Sequence, residues 1–168
     1  MSKQKLIKKI GYVVIPGVLA LLGGQALAAT ANSSAAATIV TPIAITNTQG
    51  LSFGDVFAGT AVSTIVLDNA GGRAVGIGDA ALGATAGSAA AFDVTGEVSA
   101  AYSINLPVAA VTLTSGSDTM TVNSFTTDGT GVLSAGGAET INVGATLNVA
   151  ASQPSGSYAG TFTVEAIY

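Results

Sequence analysis

Period-two alternation of apolar and polar side chains is the feature that most narrows the folds open to this chain. It is clearest in Gly156-Ser-Tyr-Ala-Gly-Thr-Phe-Thr-Val-Glu-Ala-Ile-Tyr168. There Tyr158, Phe162, Val164, Ala166 and Tyr168 share one parity, and Thr161, Thr163 and Glu165 the other. Successive strand side chains point to opposite faces, so this predicts a strand with one face buried. Glu139 to Val149 alternates in the same way, with Ile141, Val143, Ala145, Leu147 and Val149 on one side. Further strand signals fall at 38–45, 51–57 and 62–67, then at Phe92/Val94, Tyr102/Ile104/Leu106, Val111/Leu113 and Met120/Val122. No segment beyond residue 28 shows helical periodicity or a capping box before an apolar run. Short strands spaced roughly 8–15 residues apart imply an all-β sandwich.

The expected core is Phe53, Ile65, Phe92, Val94, Ile104, Leu106, Met120, Val122, Ile141, Val143, Leu147, Phe162 and Val164. Ile39, Thr41, Ile43 and Ile45 share a face of the first strand, but Pro42 has no N–H for a ladder. That strand therefore lies at an edge or is broken in two. Asp68 to Ala90 is rich in Gly and Ala and reads as a long connection or weak hairpin, with Val75 and Ile77 its one short strand candidate. Ser115-Gly-Ser-Asp118, Thr127-Asp-Gly-Thr130 and Gln153-Pro-Ser-Gly156 read as turns. The last strand ends at Tyr168, so it either pairs within the domain or offers an edge to something else.

The first residues read as an export signal spanning 1–28. Lys3, Lys5, Lys8 and Lys9 precede an apolar run from Ile10 to Leu22, and Ala26-Leu-Ala28 is a small-x-small cleavage pattern. The run is about thirteen residues, short of the roughly twenty that span a bilayer, so no stable membrane insertion is expected. Glu is absent from the fifth position after Gly11, where Pro16 stands, which argues against a type IV prepilin. Residues 29–37 are small and polar and read as a flexible arm, and 38–168 as one domain. Export places the protein outside the cell or on its surface, by way of the periplasm.

Loss of the signal removes every lysine. Arg73 then stands alone against nine acids, a net charge of −8. Such a surface repels nucleic acid and anionic lipid. The sequence has no His and no Cys. Ser-His-Asp and Cys-His catalysis and imidazole or thiolate metal sites therefore cannot be built, nor can disulfides. Asp93 and Glu97 are the closest acid pair in sequence, without the tryptophan platforms that glycoside hydrolysis favours. Asp118 and Asp128 lie on loops but not in a calcium-loop run. Gly71-Gly-Arg-Ala-Val-Gly76-Ile-Gly78 neither follows a buried parallel strand nor opens a helix, so it is a flexible loop, not a phosphate cradle. No enzyme activity and no cofactor is expected.

Leu51-Ser-Phe-Gly54 and the closing Gly156 to Tyr168 strand, with Ala91-Phe-Asp-Val-Thr-Gly96, Met120-Thr-Val122 and Ile141 to Leu147 between them, resemble secreted bacterial domains of the spore-coat-protein-U type. These belong with the chaperone–usher pilins. The resemblance covers most of 38–168 and implies an immunoglobulin-like sandwich that lacks its final strand and is completed by a donor strand. In pilins the gap is filled by a periplasmic chaperone and then by the next subunit's N-terminal arm, a form of β-augmentation. Candidate donor or first-strand residues are Ile39, Val40, Ile43 and Ile45; candidate acceptor-edge residues are Tyr158, Phe162, Val164 and Tyr168. Pilins of this kind commonly carry a Cys pair, which this chain lacks. The expected function is a non-enzymatic cell-surface subunit, a homo-oligomer or filament built by strand donation. The alternative is a monomeric secreted module binding carbohydrate or a surface partner.

Overall fold

The computed structural model describes residues 28–168, so the expected export signal lies outside the described residues apart from Ala28. Residues Thr38–Tyr168 form one compact unit that carries all eleven described strands. These are β1 (Ala44–Gln49), β2 (Val56–Phe57), β3 (Ser63–Leu67), β4 (Arg73–Ile77), β5 (Ala81–Leu82) and β6 (Ala90–Thr95). They continue with β7 (Ser103–Asn105), β8 (Val111–Ser115), β9 (Asp118–Thr127), β10 (Ala138–Val149) and β11 (Glu165–Ile167). Every ladder is antiparallel, and the fold is an all-β, sandwich-like arrangement of curled sheets.

The period-two run read from 139 to 149 is the spine of the molecule. Val143 of β10 lies opposite both Ala90 of β6 and Thr127 of β9, while Leu147 lies opposite both Ile65 of β3 and Val122 of β9. Strand β9 therefore follows one edge of β10, and β6 and β3 share the other edge end to end. Beyond them β1 pairs with β6 and β4 with β3, so the sheet forks. Gly144 sits at the changeover, where a Cβ would run into the carbonyl oxygen of Leu67. Alternate residues of β10 feed two apolar clusters. Ile141 and Val143 join Phe92, Val94, Tyr102, Leu133 and Val164, whereas Ala145, Leu147 and Val149 join Phe53, Ile65, Leu67 and Val122. Leu51 and Phe125 pack against both. Full burial of one such side chain is worth roughly 1.5–3 kcal/mol, so this row dominates the apolar stabilisation of the sheet.

Of the expected core, Ile104, Leu106, Met120 and Phe162 are half-buried at the cluster margins, and the other nine are buried. Leu67, Tyr102, Leu133 and the hydroxyl-bearing Ser63 join them.

Three expectations need correction. The Gly71–Gly78 stretch is not a flexible loop: Asp68 Oδ1 accepts the N–H groups of Ala70 and Gly72 and closes a tight turn from β3 into β4, which carries the Val75/Ile77 strand candidate. Asp68 to Ala90 thus takes the hairpin alternative, with β5 following. The first strand does not span 38–45 but begins at Ala44, because Pro42 leaves its upstream neighbours without a ladder. The final strand is formally paired only over Glu165–Ile167, with one earlier bridge from Ala159 to Thr114. Pro107 supplies the reason. Continuing the Asn105–Glu165 register by two residues places Pro107, which has no N–H, opposite Thr163.

Candidate assembly edge

The N-terminal strand and the closing segment, read separately from the sequence, meet in space. Strand β1 lies on β6 by one edge only, with Ile45 opposite Val94. Ile43 and Ile45 are half-buried against the cluster that also holds Val164, and Phe162 and Ala166 flank it from the other side. Strands β1 and β11 are neighbours, yet no ladder joins them. Ile39 and Val40, by contrast, point into solvent, at 97% and 54% exposure. The four candidate donor residues thus divide into two that pack against the apolar cluster and two that stay exposed.

The closing segment has the face of a strand and only part of its hydrogen bonding. Phe162 packs edge-on against Phe92 with ring centroids 6.3 Å apart, and tilted against Phe125 at 4.9 Å. Val164 is buried, and Thr161, Thr163 and Glu165 are exposed. From Gly160 to Thr163 the backbone enters no ladder and makes no backbone hydrogen bond among the described residues. By the β7–β11 register Pro107 lies across from it, next to the fully exposed Val108. Tyr158 stays local: its hydroxyl accepts from Gln153 Nε2 and donates to the Pro154 carbonyl, both at 2.8 Å. A backbone with one face anchored and its polar groups unpaired is a template for another strand, here from Thr161 onward, since Gly160 is packed against the Thr112 carbonyl and Leu113 of β8.

Tyr168 closes one end of this region. Its hydroxyl accepts the N–H of Glu97 and donates to the carbonyl of Thr41 at 3.1 Å. Glu97 Oε2 in turn accepts the Thr41 N–H at 2.8 Å. The Thr41 backbone and side-chain donors hold the Glu97 carboxyl below the usual carboxylate range. Sequence reading paired Glu97 with Asp93; the fold instead gives Asp93 to the hydroxyl of Thr140.

The other acids also bind the chain to itself. Asp79 takes the N–H groups of Ala61 and Thr60 and the Thr60 hydroxyl, which lowers its pKa. Asp128 holds the backbone and side-chain N–H of Asn142, and Asp55 the hydroxyl of Thr85. Burial works against the charged form of Glu139, but hydrogen bonds from Tyr102, Thr130 and Val132 outweigh it and bring its pKa down. Burial and the adjacent Glu139 carboxylate push the Tyr102 hydroxyl well up. Among the described residues no group of three or more His, Cys, Asp or Glu is placed to hold a metal ion, and no helix is long and apolar enough to cross a membrane. Arg73, read from sequence only as a lone cation in a loop, donates to the carbonyls of Phe53, Asp55 and Gly83.

No curated protein and no solved structure matches the chain. A family model described as a domain of unknown function (DUF4402) matches residues 43–168, which takes in every strand from β1 to β11, and the chain belongs to that family.

Proposed function

We propose that this protein is a non-enzymatic cell-surface structural subunit, exported through the periplasm and assembled into a homo-oligomer or filament by β-strand donation. The observation that carries this reading is the closing segment. Phe162 and Val164 are seated in the core while the Gly160–Thr163 backbone has no backbone partner among the described residues. A strand laid along it gains main-chain hydrogen bonds, and its alternate side chains meet the margin formed by Ile43, Ile45 and Ala166. Ile39 and Val40 of a neighbouring copy are the exposed branched residues that suit this role. Consecutive strand residues face opposite sides, so one of the two enters the margin and offers roughly 1.5–3 kcal/mol at ordinary transfer values; each joint is modest unless it is repeated along an array or loaded by a periplasmic chaperone. Resemblance to spore-coat-protein-U domains and pilins points the same way, as does the immunoglobulin-like reading of the sandwich. Deletion of residues 29–40 is expected to leave a folded domain that forms no polymer. Electron microscopy of filaments from the deleted protein would overturn the proposal.

A second reading, a secreted binding module for a neutral saccharide, rests on an open groove of about 520 Å³. Val66, Asp68, Asn69, Ser124 and Thr126 line it, beside a bulge where Ser124 adopts a positive φ of 50°. Calorimetric titration with neutral oligosaccharides, and with Asn69→Ala as the control, decides it.

A further inference from the structure

Thr41 occupies an unusual position between the exposed Ile39–Val40 pair and the half-buried Ile43–Ile45 pair. Both of its backbone polar groups are met by side chains from distant parts of the chain. Its N–H goes to Glu97 Oε2 at 2.8 Å and its carbonyl receives the Tyr168 hydroxyl at 3.1 Å. These bonds take the place of a ladder where Pro42 prevents β1 from extending. The pocket for the phenol is built for it. Gly96 lies against the Tyr168 hydroxyl so closely that a Cβ there would collide with it and press on Leu133, which is buried. Gly96 is itself fixed by donating to the Gly137 carbonyl at 2.9 Å, and Gly137 turns with a φ of 71°. The same Tyr168 oxygen accepts the Glu97 N–H, so one hydroxyl joins both ends of the contact.

We propose that Thr41, Glu97 and Tyr168 form a latch that divides the N-terminal segment. It keeps β1 on its own domain and leaves only the residues before Thr41 free to engage a second copy of this chain. With the latch closed, the donated stretch ends at Val40, and Ile43 and Ile45 remain sealing their own core. With the latch open, β1 has one ladder, on β6, and the release of Ile43 and Ile45 lengthens the available strand while uncovering the apolar margin beside β11. What the freed residues then do rests on the strand-donation reading; the latch itself does not.

The test uses hydrogen–deuterium exchange of the purified full-length monomer. Tyr168→Phe keeps the ring and removes the hydroxyl; Glu97→Gln keeps the shape and removes the charge. Tyr158→Phe is the control, because that hydroxyl bonds only within its own turn. Loss of the two hydrogen bonds at the Tyr168 oxygen is expected to speed exchange in the Ile43–Gln49 peptide by roughly 5- to 30-fold, with Glu97→Gln in the same direction. Peptides from β3, β9 and β10 stay at the wild-type rate, and Tyr158→Phe changes neither region. Exchange in Ile43–Gln49 within twofold of wild type in both latch variants overturns the latch. So does acceleration spread equally over β3, β9 and β10, which marks general destabilisation. Failure of the wild-type protein to polymerise removes the strand-donation reading without touching this result, since exchange is read on the monomer.

Discussion

Arg73 is the side chain whose loss the structure translates most directly into a number. Its guanidinium donates to the carbonyl oxygens of Phe53 at 2.6 Å, Asp55 at 2.9 Å and Gly83 at 3.0 Å, tying β4 to the turns that flank the β2–β5 ribbon. Its aliphatic stem lies against Gly87, where any Cβ would intrude. A hydrogen bond from a charged donor contributes roughly 1.5–3 kcal/mol. Arg73 is half-exposed, so water recovers part of that when the donor is lost. Arg73→Met, which keeps the stem, is therefore expected to lower the unfolding free energy by about 2–4 kcal/mol. Arg73→Lys should recover only part of this, because one ammonium cannot reproduce a planar fork spanning three carbonyls. Urea unfolding followed by circular dichroism measures both. The carbonyl partners are neutral, so the deficit should persist in high salt, unlike that of a surface ion pair. A loss below about 0.5 kcal/mol for Arg73→Met, within the range of ordinary surface substitutions, would refute this reasoning.

Two further outcomes follow from buried and charged groups. Ser63 is fully buried, donates to the Ala61 carbonyl and accepts the N–H groups of Asp79 and Ala80, all at 3.1 Å. Ser63→Val leaves those two donors without an acceptor and should cost about 1–3 kcal/mol, read as a fall in the calorimetric melting temperature. The Glu97 carboxyl has a depressed pKa in the folded state, chiefly through the Thr41 N–H. Its contribution is therefore complete above the unfolded carboxylate value and disappears as pH falls through the folded one. Nuclear magnetic resonance should show the Thr41 amide shift titrating with Glu97 below pH 4.5; a Thr41 amide that ignores pH there excludes the contact.

Legibility from sequence tracked how completely a segment is buried on one face. Glu139 to Val149 was readable because all five alternate residues point into core, and Phe162 and Val164 were readable for the same reason. Asp68 to Ala90 was readable only in part: Val75 and Ile77 mark β4, but it is an exposed edge strand whose Gly76 fits between Thr64 and Val66, so its apolar period is too short to set it apart from a flexible loop. The four candidate donor residues looked alike in sequence because Ile39, Val40, Ile43 and Ile45 are all branched apolar residues, and parity alone does not group Ile39 with Val40. The tertiary contacts of Thr41 separate them. Those contacts join residues 56 and 127 positions apart, with no local signal to announce them. The roles of Arg73 and the acids were hidden for the same reason, since backbone carbonyls and N–H groups leave no mark in a sequence.

Strand donation is tested most directly by cross-linking, which the absence of any native Cys makes clean. Val40→Cys in one preparation is mixed with Thr161→Cys or Thr163→Cys in another and oxidised. Paired strands hold opposed Cβ atoms about 4.5–5.5 Å apart, close enough for small adjustments to form a disulfide. Donation into the Gly160–Thr163 edge predicts covalent dimers in the mixed samples well beyond those of either variant alone. It further predicts that an unlabelled peptide of residues 29–41 suppresses them, and that the same peptide with Ile39→Asp, whose side chain faces the core side when Val40 lies opposite the exposed threonines, does not. Mixed samples that stay monomeric at every concentration, with the peptide without effect, would contradict assembly through this edge.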